Sequence, residues 1–222
     1  MDKYNVYQDM SRRTGGEIYL GIVGPVRTGK STFIKRFMEL VVIPEMTDDN
    51  EKVRTIDELP QSADGKTIMT TEPKFIPKEA AVIHFSNQET GKIRLIDCVG
   101  YLVPEAVGAI EEEKERMVKT PWSEEEIPFS KAAEIGTSKV IREHSNLGLI
   151  ITTDGSFGDI PAVNFEEALQ KTVMECEKAG KPFLILVNTS RPDSQETIQF
   201  TKRLEAQYGN CLLYTSPSPR DS

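Results

Sequence analysis

Cysteine is scarce in this 222-residue sequence: Cys98, Cys176 and Cys211 lie far apart and show no C-x-x-C spacing. That argues against a disulfide framework and against a cysteine-ligated zinc, and reduced thiols fit a cytosolic protein. Long apolar runs are missing too. No stretch approaches eighteen apolar residues, and Met1 to Arg13 is polar and charged, so neither a spanning helix nor a secretory leader is expected. Positive charge is also in deficit. With 27 basic against 35 acidic residues the net charge is -8, and no basic cluster stands out. Nucleic acid and anionic membranes are therefore not expected as partners through bulk electrostatics. The two histidines, His84 and His144, fall on an expected strand and a helix end without companion ligands, so both read as core or capping residues. No internal repeat is evident.

What is present is alternation. Five apolar, β-rich runs, Ile18–Val23, Ala81–Phe85, Ile93–Ile96, Leu147–Thr152 and Phe183–Val187, are expected strands. Helical spacing marks Ser31–Leu40, Ala132–His144, Phe165–Ala179 and Gln195–Tyr208; the third stops at Gly180 with Pro182 beyond. Strands alternating with helices imply an α/β fold with a mostly parallel sheet and helices on both faces. One pair differs. Ala81–Phe85 and Ile93–Ile96 are separated only by Ser86–Lys92, too short for a crossover helix, so they form an antiparallel hairpin. Two irregular segments are expected: a polar, proline-punctuated loop from Val41 to Lys78, and an acidic stretch from Pro104 to Pro128.

Gly24-Pro25-Val26-Arg27-Thr28-Gly29-Lys30-Ser31 matches G-x-x-x-x-G-K-[ST], with a strand feeding in and a helix, starting near Lys30 and running on through Thr32, leading out. Glycines let successive N–H groups face one anion, and the helix start adds its positive dipole end. Lys30 would supply a charge across β- and γ-phosphates, while Ser31 is the natural Mg²⁺ ligand. Asp97 ends an expected strand and opens D-x-x-G with Gly100, which gives a second oxygen for the metal and an N–H for the γ-phosphate. Thr70 and Thr71, with Thr67 a poorer third, sit where a mobile loop would close over Mg²⁺ and sense the nucleotide, Thr71 as a candidate metal ligand. A plainer reading makes them turn formers. A phosphate loop beside one antiparallel strand is the arrangement of the GTPase-like (TRAFAC-type) branch of P-loop NTPases.

Guanine-specific members of that branch read N-K-x-D after their fifth strand. Here the place reads Asn188-Thr189-Ser190-Arg191: Asn188 is kept, and a donor-only arginine stands where the acceptor carboxylate should be. Losing a partner of that kind changes discrimination strongly, which favours ATP over GTP. Asp193 comes two residues late for the standard geometry, though a shifted loop would rescue it. Tyr101 follows D-x-x-G where many GTPases carry a water-orienting glutamine, so slow hydrolysis relying on Thr70, Thr71 or a neighbouring subunit is expected. Arg27 either stabilises charge on the transferring phosphoryl group or is solvated.

Several longer stretches, RTGGEIYLGIVGPVRTGKSTFIKRFMELVV, DELPQSADGKTIMTTEPKF, IRLIDCVGYLVP, TPW with IPF, and KAAEIGTSKVIREHS with ITTDGS, resemble the stage IV sporulation protein A family of endospore-forming bacteria. The likeness runs from about Tyr4 to Tyr208. It implies a divergent GTPase-like fold that hydrolyses ATP with Mg²⁺ and thereby permits irreversible self-assembly. The implied place is the mother-cell cytoplasm at the outer forespore surface, where polymers form the base of the spore coat. The implied roles are Walker-type lysine for Lys30, paired nucleotide-sensing threonines for Thr70 and Thr71, and Mg²⁺-associated aspartate for Asp97. Implied partners are copies of the protein itself, a small amphipathic membrane-anchoring peptide and other coat proteins, the last two through regions beyond this sequence. A GTP-dependent switch and a nucleotide-binding scaffold without turnover are the competing readings.

The end reads differently. CLLYTSPSPRDS, residues 211–222, breaks the helical pattern, has no core-forming period and resembles a translated sequencing adapter. Residues 1–210 are accordingly expected to be an ATPase domain cut short at its C-terminal end, lacking its closing strand.

Overall fold

Strand β1 (Glu17–Val23) runs through the middle of the sheet because both of its faces are covered. Ile22 packs on one side with Ile34, Met38, Leu95 and Ile151, and Val23 packs on the other with Ile96, Ile141, Ile150 and Val187. The period-2 switch of side chains across a strand turns each apolar run into a two-faced wedge. Each fully buried aliphatic side chain contributes about 1.5–3 kcal/mol. The computed structural model describes residues 16–60, 72–84, 90–104, 110–111, 114–209 and 211–215.

After β1 the chain enters helix α1 (Lys30–Phe37), which widens into a π-helical turn at Met38–Val42 and a short 3₁₀ turn at Ile43–Glu45. Helix α2 (Asp49–Glu58) follows, then β2 (Lys74–His84) and β3 (Thr90–Asp97). Two short hairpins, β4 (Ile110–Glu111) with β5 (Lys114–Glu115) and β6 (Met117–Thr120) with β7 (Ser123–Pro128), lead into helix α3 (Phe129–Lys139). Strand β8 (Leu147–Thr153), helix α4 (Glu166–Lys178), β9 (Phe183–Thr189), helix α5 (Gln195–Tyr208) and β10 (Cys211–Thr215) complete the order. The sheet runs β10-β9-β8-β1-β3-β2, all parallel except β2, which is antiparallel to β3. This is the P-loop NTPase α/β fold with one antiparallel strand, as the sequence pattern implies.

Three expectations need correction. The segment Val41–Lys78 is not wholly a loop. Asp48 caps α2 by accepting from the amides of Asn50 (2.7 Å) and Glu51 (3.1 Å), and α2 buries only Thr55, too little apolar surface to leave a legible stripe. Strand β2 also starts seven residues earlier than Ala81: Lys74–Ile76 pair with β3, a register shift then carries the chain past Pro77, and pairing resumes at Ala81. Proline is tolerated there because β2 is an edge strand and the break absorbs its missing donor.

The acidic stretch 104–128 is not irregular throughout, since it contains the two hairpins; the consecutive Glu124, Glu125 and Glu126 are exposed on β7. Finally, the sheet has six strands rather than five. Cys211–Thr215, within the stretch set aside on composition, pairs parallel with β9, Leu212 opposite Leu186 and Tyr214 opposite Asn188. Edge pairing is a backbone interaction and needs no apolar period.

Candidate nucleotide site

Four strands deliver the site at their carboxyl ends: β1 leads into the phosphate loop, β3 ends in Asp97, β8 in Thr153 and β9 in Asn188 and Thr189. In open parallel sheets this rim is where ligands bind.

The loop itself is held in a conformation that most residues resist. Backbone φ is positive at Gly24 (127°), Arg27 (59°) and Gly29 (90°), so amides along the turn can converge on an anion. Arg27 is exposed and carries the strain of a non-glycine residue in the left-handed region. The Pro25 carbonyl accepts from Thr28 Oγ1 at 3.0 Å and from Lys30 Nζ at 2.6 Å, which closes the loop on itself. Val26 is buried against Tyr101, Val103 and Phe165, and its N–H donates to the Tyr101 carbonyl at 2.9 Å. Gly29 precedes α1, whose first turn, with Lys30, Ser31 and half-buried Thr32, holds neither an acidic residue nor a capping side chain. The helix start is left open to a phosphate.

Asn188, expected from the sequence as a remnant of base recognition, bonds to the phosphate loop in this geometry. It is buried and donates from Nδ2 to the Thr28 carbonyl at 3.1 Å. A Cβ on Gly29 would lie 2.4 Å from that nitrogen, so glycine is required for the close approach.

Ser31 Oγ donates to Asp97 Oδ2 at 2.9 Å, joining residues 66 apart in sequence. The other carboxylate oxygen, Asp97 Oδ1, is buried without a hydrogen-bond partner. Burial pushes the Asp97 carboxyl above the ordinary range, opposed by the Lys30 charge and the Ser31 hydrogen bond; burial likewise pulls Lys30 down, opposed by Cys98 and Asp97. A hydroxyl and a carboxylate with an orphaned oxygen are hard donors suited to Mg²⁺, which binds few protein ligands and keeps water and phosphate oxygens for the rest. Among the described residues no group of three or more His, Cys, Asp and Glu side chains converges, so an all-protein metal cage is not built here. Cys98, next to this pair, is buried and its thiol is pushed up to about 11, which keeps it an inert neutral neighbour.

Gly100 sits against the loop with φ 91°, and the Tyr101 ring that follows is buried with Val26, Val103 and Phe165. Tyr101 therefore occupies the core beneath α3 and α4 instead of the water-orienting place of a glutamine. Thr70 and Thr71, with Thr67, lie outside the described residues, as does the side chain of His84. His144 makes an edge contact with Phe75, ring centroids 5.4 Å apart, a packing role.

One residue that pattern reasoning passed over stands at the β8 end of the rim. The Asp154 carboxylate accepts from Thr189 Oγ1 and Thr197 Oγ1, each at 2.6 Å, and from the Ser156 amide at 3.0 Å. Its only signal in the sequence is the short stretch Thr152-Thr153-Asp154-Gly155-Ser156, which has no motif of its own.

Comparisons with known proteins give the family of the chain. Residues 1–217 match the family model described as the ATPase domain of stage IV sporulation protein A. The chain is 53% identical over 216 residues to stage IV sporulation protein A of Bacillus subtilis strain 168, covering 97% of this chain and 44% of that protein. The Bacillus anthracis protein is 53% identical over 208 residues and that of Clostridioides difficile strain 630 is 49% identical over 204, each with 42% of its length covered. The chain thus spans less than half the length of the curated relatives it matches. Among solved structures, an Era variant of Aquifex aeolicus bound to GDP and aluminium fluoride is similar at 14% identity (TM-score 0.49, 90% of this chain and 51% of that one). A bacterial selenocysteine-specific elongation factor is similar at 12% identity (TM-score 0.43, 89% and 25%).

Proposed function

We propose, from a chain that belongs to the stage IV sporulation protein A family, that this protein binds and hydrolyses ATP with Mg²⁺ and couples hydrolysis to self-assembly in building the spore coat. The reading rests above all on the Ser31–Asp97 pair, 2.9 Å apart, with an orphaned carboxylate oxygen and the Lys30 charge acting on the same carboxylate. Ser31 and Asp97 would hold the cation, directly or through water. Bound there, Mg²⁺ would neutralise charge on the phosphate oxygens and orient them.

The chain's own residues account for the rest. The uncapped start of α1 and the left-handed turns of the phosphate loop present amides to the phosphates. A phosphate entering the loop competes with the Pro25 carbonyl for the Lys30 ammonium, exchanging a neutral acceptor for a charged one, about twice as strong. Gly100 lies against the loop, and its N–H, which here faces the Cys98 thiol, is proposed to serve the terminal phosphate. Thr70 and Thr71 are proposed to close over the metal and support hydrolysis, which is slow because Tyr101 is committed to the core.

ATP is favoured over GTP because Arg191, a donor only, stands where guanine needs an acceptor. Copies of the same protein, a small amphipathic membrane peptide and other coat proteins are the proposed partners, at the outer forespore surface in the mother cell. Among the described residues no helix is long and apolar enough to cross a membrane, in keeping with attachment through a partner. Competition of labelled ATP by unlabelled GTP, with phosphate release from wild type and Lys30→Ala, tests this. ATP preference with turnover lost in Lys30→Ala is expected. A strong GTP preference would make the protein a guanine-nucleotide switch, and binding without turnover would make it a scaffold.

A further inference from the structure

The sheet order decides which side of the phosphate loop receives the nucleoside. Asp97, on β3, flanks the loop on one side; β8 and β9 flank it on the other. With the metal and terminal phosphate held at Ser31 and Asp97, the nucleoside would extend to the other side of the loop, toward the carboxyl ends of β8 and β9, where Thr153 pairs with Asn188. The turn after Asn188, residues 189–194, borders that space.

Two directional chains of hydroxyls organise this turn, and both end on Asp154. In the first, the Ser190 amide donates to Ser156 Oγ (2.8 Å), Ser156 Oγ lies 3.1 Å from Thr189 Oγ1, and Thr189 Oγ1 donates to Asp154 (2.6 Å). In the second, Ser194 Oγ donates to Thr197 Oγ1 (2.9 Å), which donates to Asp154 (2.6 Å). The Arg191 amide donates to Thr189 Oγ1 as well, at 3.0 Å. A hydroxyl has one proton, so the acceptor-only carboxylate at the end fixes the sense of every bond before it. Only an ionised acid does this. The Asn188 amide that holds Thr28 is the residue next to Thr189, so the same knot sets the register between the turn and the phosphate loop.

Asp154 also has little capacity left. Three donors fill three of its roughly four lone-pair sites, so it cannot serve as a displaced guanine-reading carboxylate. We infer that Asp154 is a positioning residue for nucleotide selectivity: it never touches the base, and it holds residues 189–194, with Arg191 and Asp193, in an arrangement that favours adenine over guanine. The inference rests on the ATP reading above.

The test uses the intact protein as wild type, Asp154→Asn, Thr189→Val and Thr189→Ser, with phosphate release measured over ranges of ATP and GTP at saturating Mg²⁺. In Asp154→Asn the amide NH₂ must face either the Ser156 N–H or the two threonine hydroxyls, all donors, so either the Ser156 amide bond or the ends of both chains are lost. The expected result is about a tenfold rise in KM for ATP with a fall in kcat of less than threefold. The ratio of kcat/KM for ATP over GTP falls about tenfold or more in Asp154→Asn and Thr189→Val, and Thr189→Ser, which keeps the donor hydroxyl, retains it. Parallel losses on both nucleotides, with the ratio unchanged, overturn the inference. A wild type without ATP preference overturns the ATP reading itself, an outcome visible before any variant is assayed. Should the variants not fold, hydrogen exchange of the wild type decides. ATP is expected to slow exchange over residues 153–157 and 188–197 more than GTP does; equal exchange with both overturns the inference.

Discussion

A Cβ placed on Gly100 would lie 2.0 Å from the carbonyl oxygen of Gly24 and 2.8 Å from Lys30 Nζ. The D-x-x-G segment and the phosphate loop are therefore in backbone contact, and Val26 N–H to Tyr101 C=O at 2.9 Å fastens them one residue further on. Gly100→Ala meets a backbone clash and a strained φ together. It is expected to lower stability by about 2 kcal/mol or more, and to abolish phosphate release. Thermal unfolding and a phosphate-release assay check both halves.

Asp97→Asn keeps the size and most hydrogen bonds of the side chain and removes its charge. Nucleotide binding in EDTA is expected to persist, while the Mg²⁺-dependent gain in affinity and hydrolysis fall at least about tenfold. Titration of Mg²⁺ at fixed ATP reads the difference. An undiminished Mg²⁺ response would remove Asp97 from the metal site.

Asn188→Ala breaks the bond to Thr28 O and loosens the phosphate loop rather than the base turn. ATP and GTP are expected to weaken together, by about tenfold, with their ratio preserved. Equilibrium binding of both nucleotides distinguishes this from a base-reading role, which would change the ratio.

Glu175 ties α4 to the end of α3 and the turn that continues it: its carboxylate accepts from Arg142 Nε at 2.6 Å and Ser138 Oγ at 2.9 Å. Burial raises its pKa, but the hydrogen bonds from Arg142 and Ser138 outweigh that and hold the carboxyl below its ordinary range. A depressed folded-state pKa means that the stabilisation is fully present above the unfolded value and is lost as pH falls through the folded one. Glu175→Gln is thus expected to cost about 1 kcal/mol at pH 7, a Tm shift of about 2–4 °C, because Arg142 is half-exposed and screened. The difference from wild type should close below about pH 4. A constant gap from pH 7 to pH 3 would contradict the assignment.

Much of this was legible because two kinds of pattern are local. Ile18–Val23 and Phe183–Val187 are apolar runs bounded by turn residues, and the phosphate loop is one contiguous motif, so strands, loop and the Asp97 partner follow from spacing. Helix α2 escaped because its stability comes from an Asp48 cap and contact with β2, which leave almost no apolar stripe. The Asp154 knot escaped for another reason. Its members, Asp154, Ser156, Thr189, Ser190, Ser194 and Thr197, come from two separated segments of common turn residues, and only the pairing of β8 with β9 brings them together. Asn188 was found for its motif position and turned out to hold the loop, a role that depends on a 3.1 Å contact across 160 residues of sequence.

Lys30, Ser31 and Asp97 are proposed to grip one triphosphate and its metal for hydrolysis. The most direct test is ATP-dependent phosphate release by the intact protein with and without Mg²⁺, alongside Lys30→Ala. The account predicts turnover that requires Mg²⁺ and vanishes in the variant; turnover that persists in Lys30→Ala, or is indifferent to the metal, would contradict it.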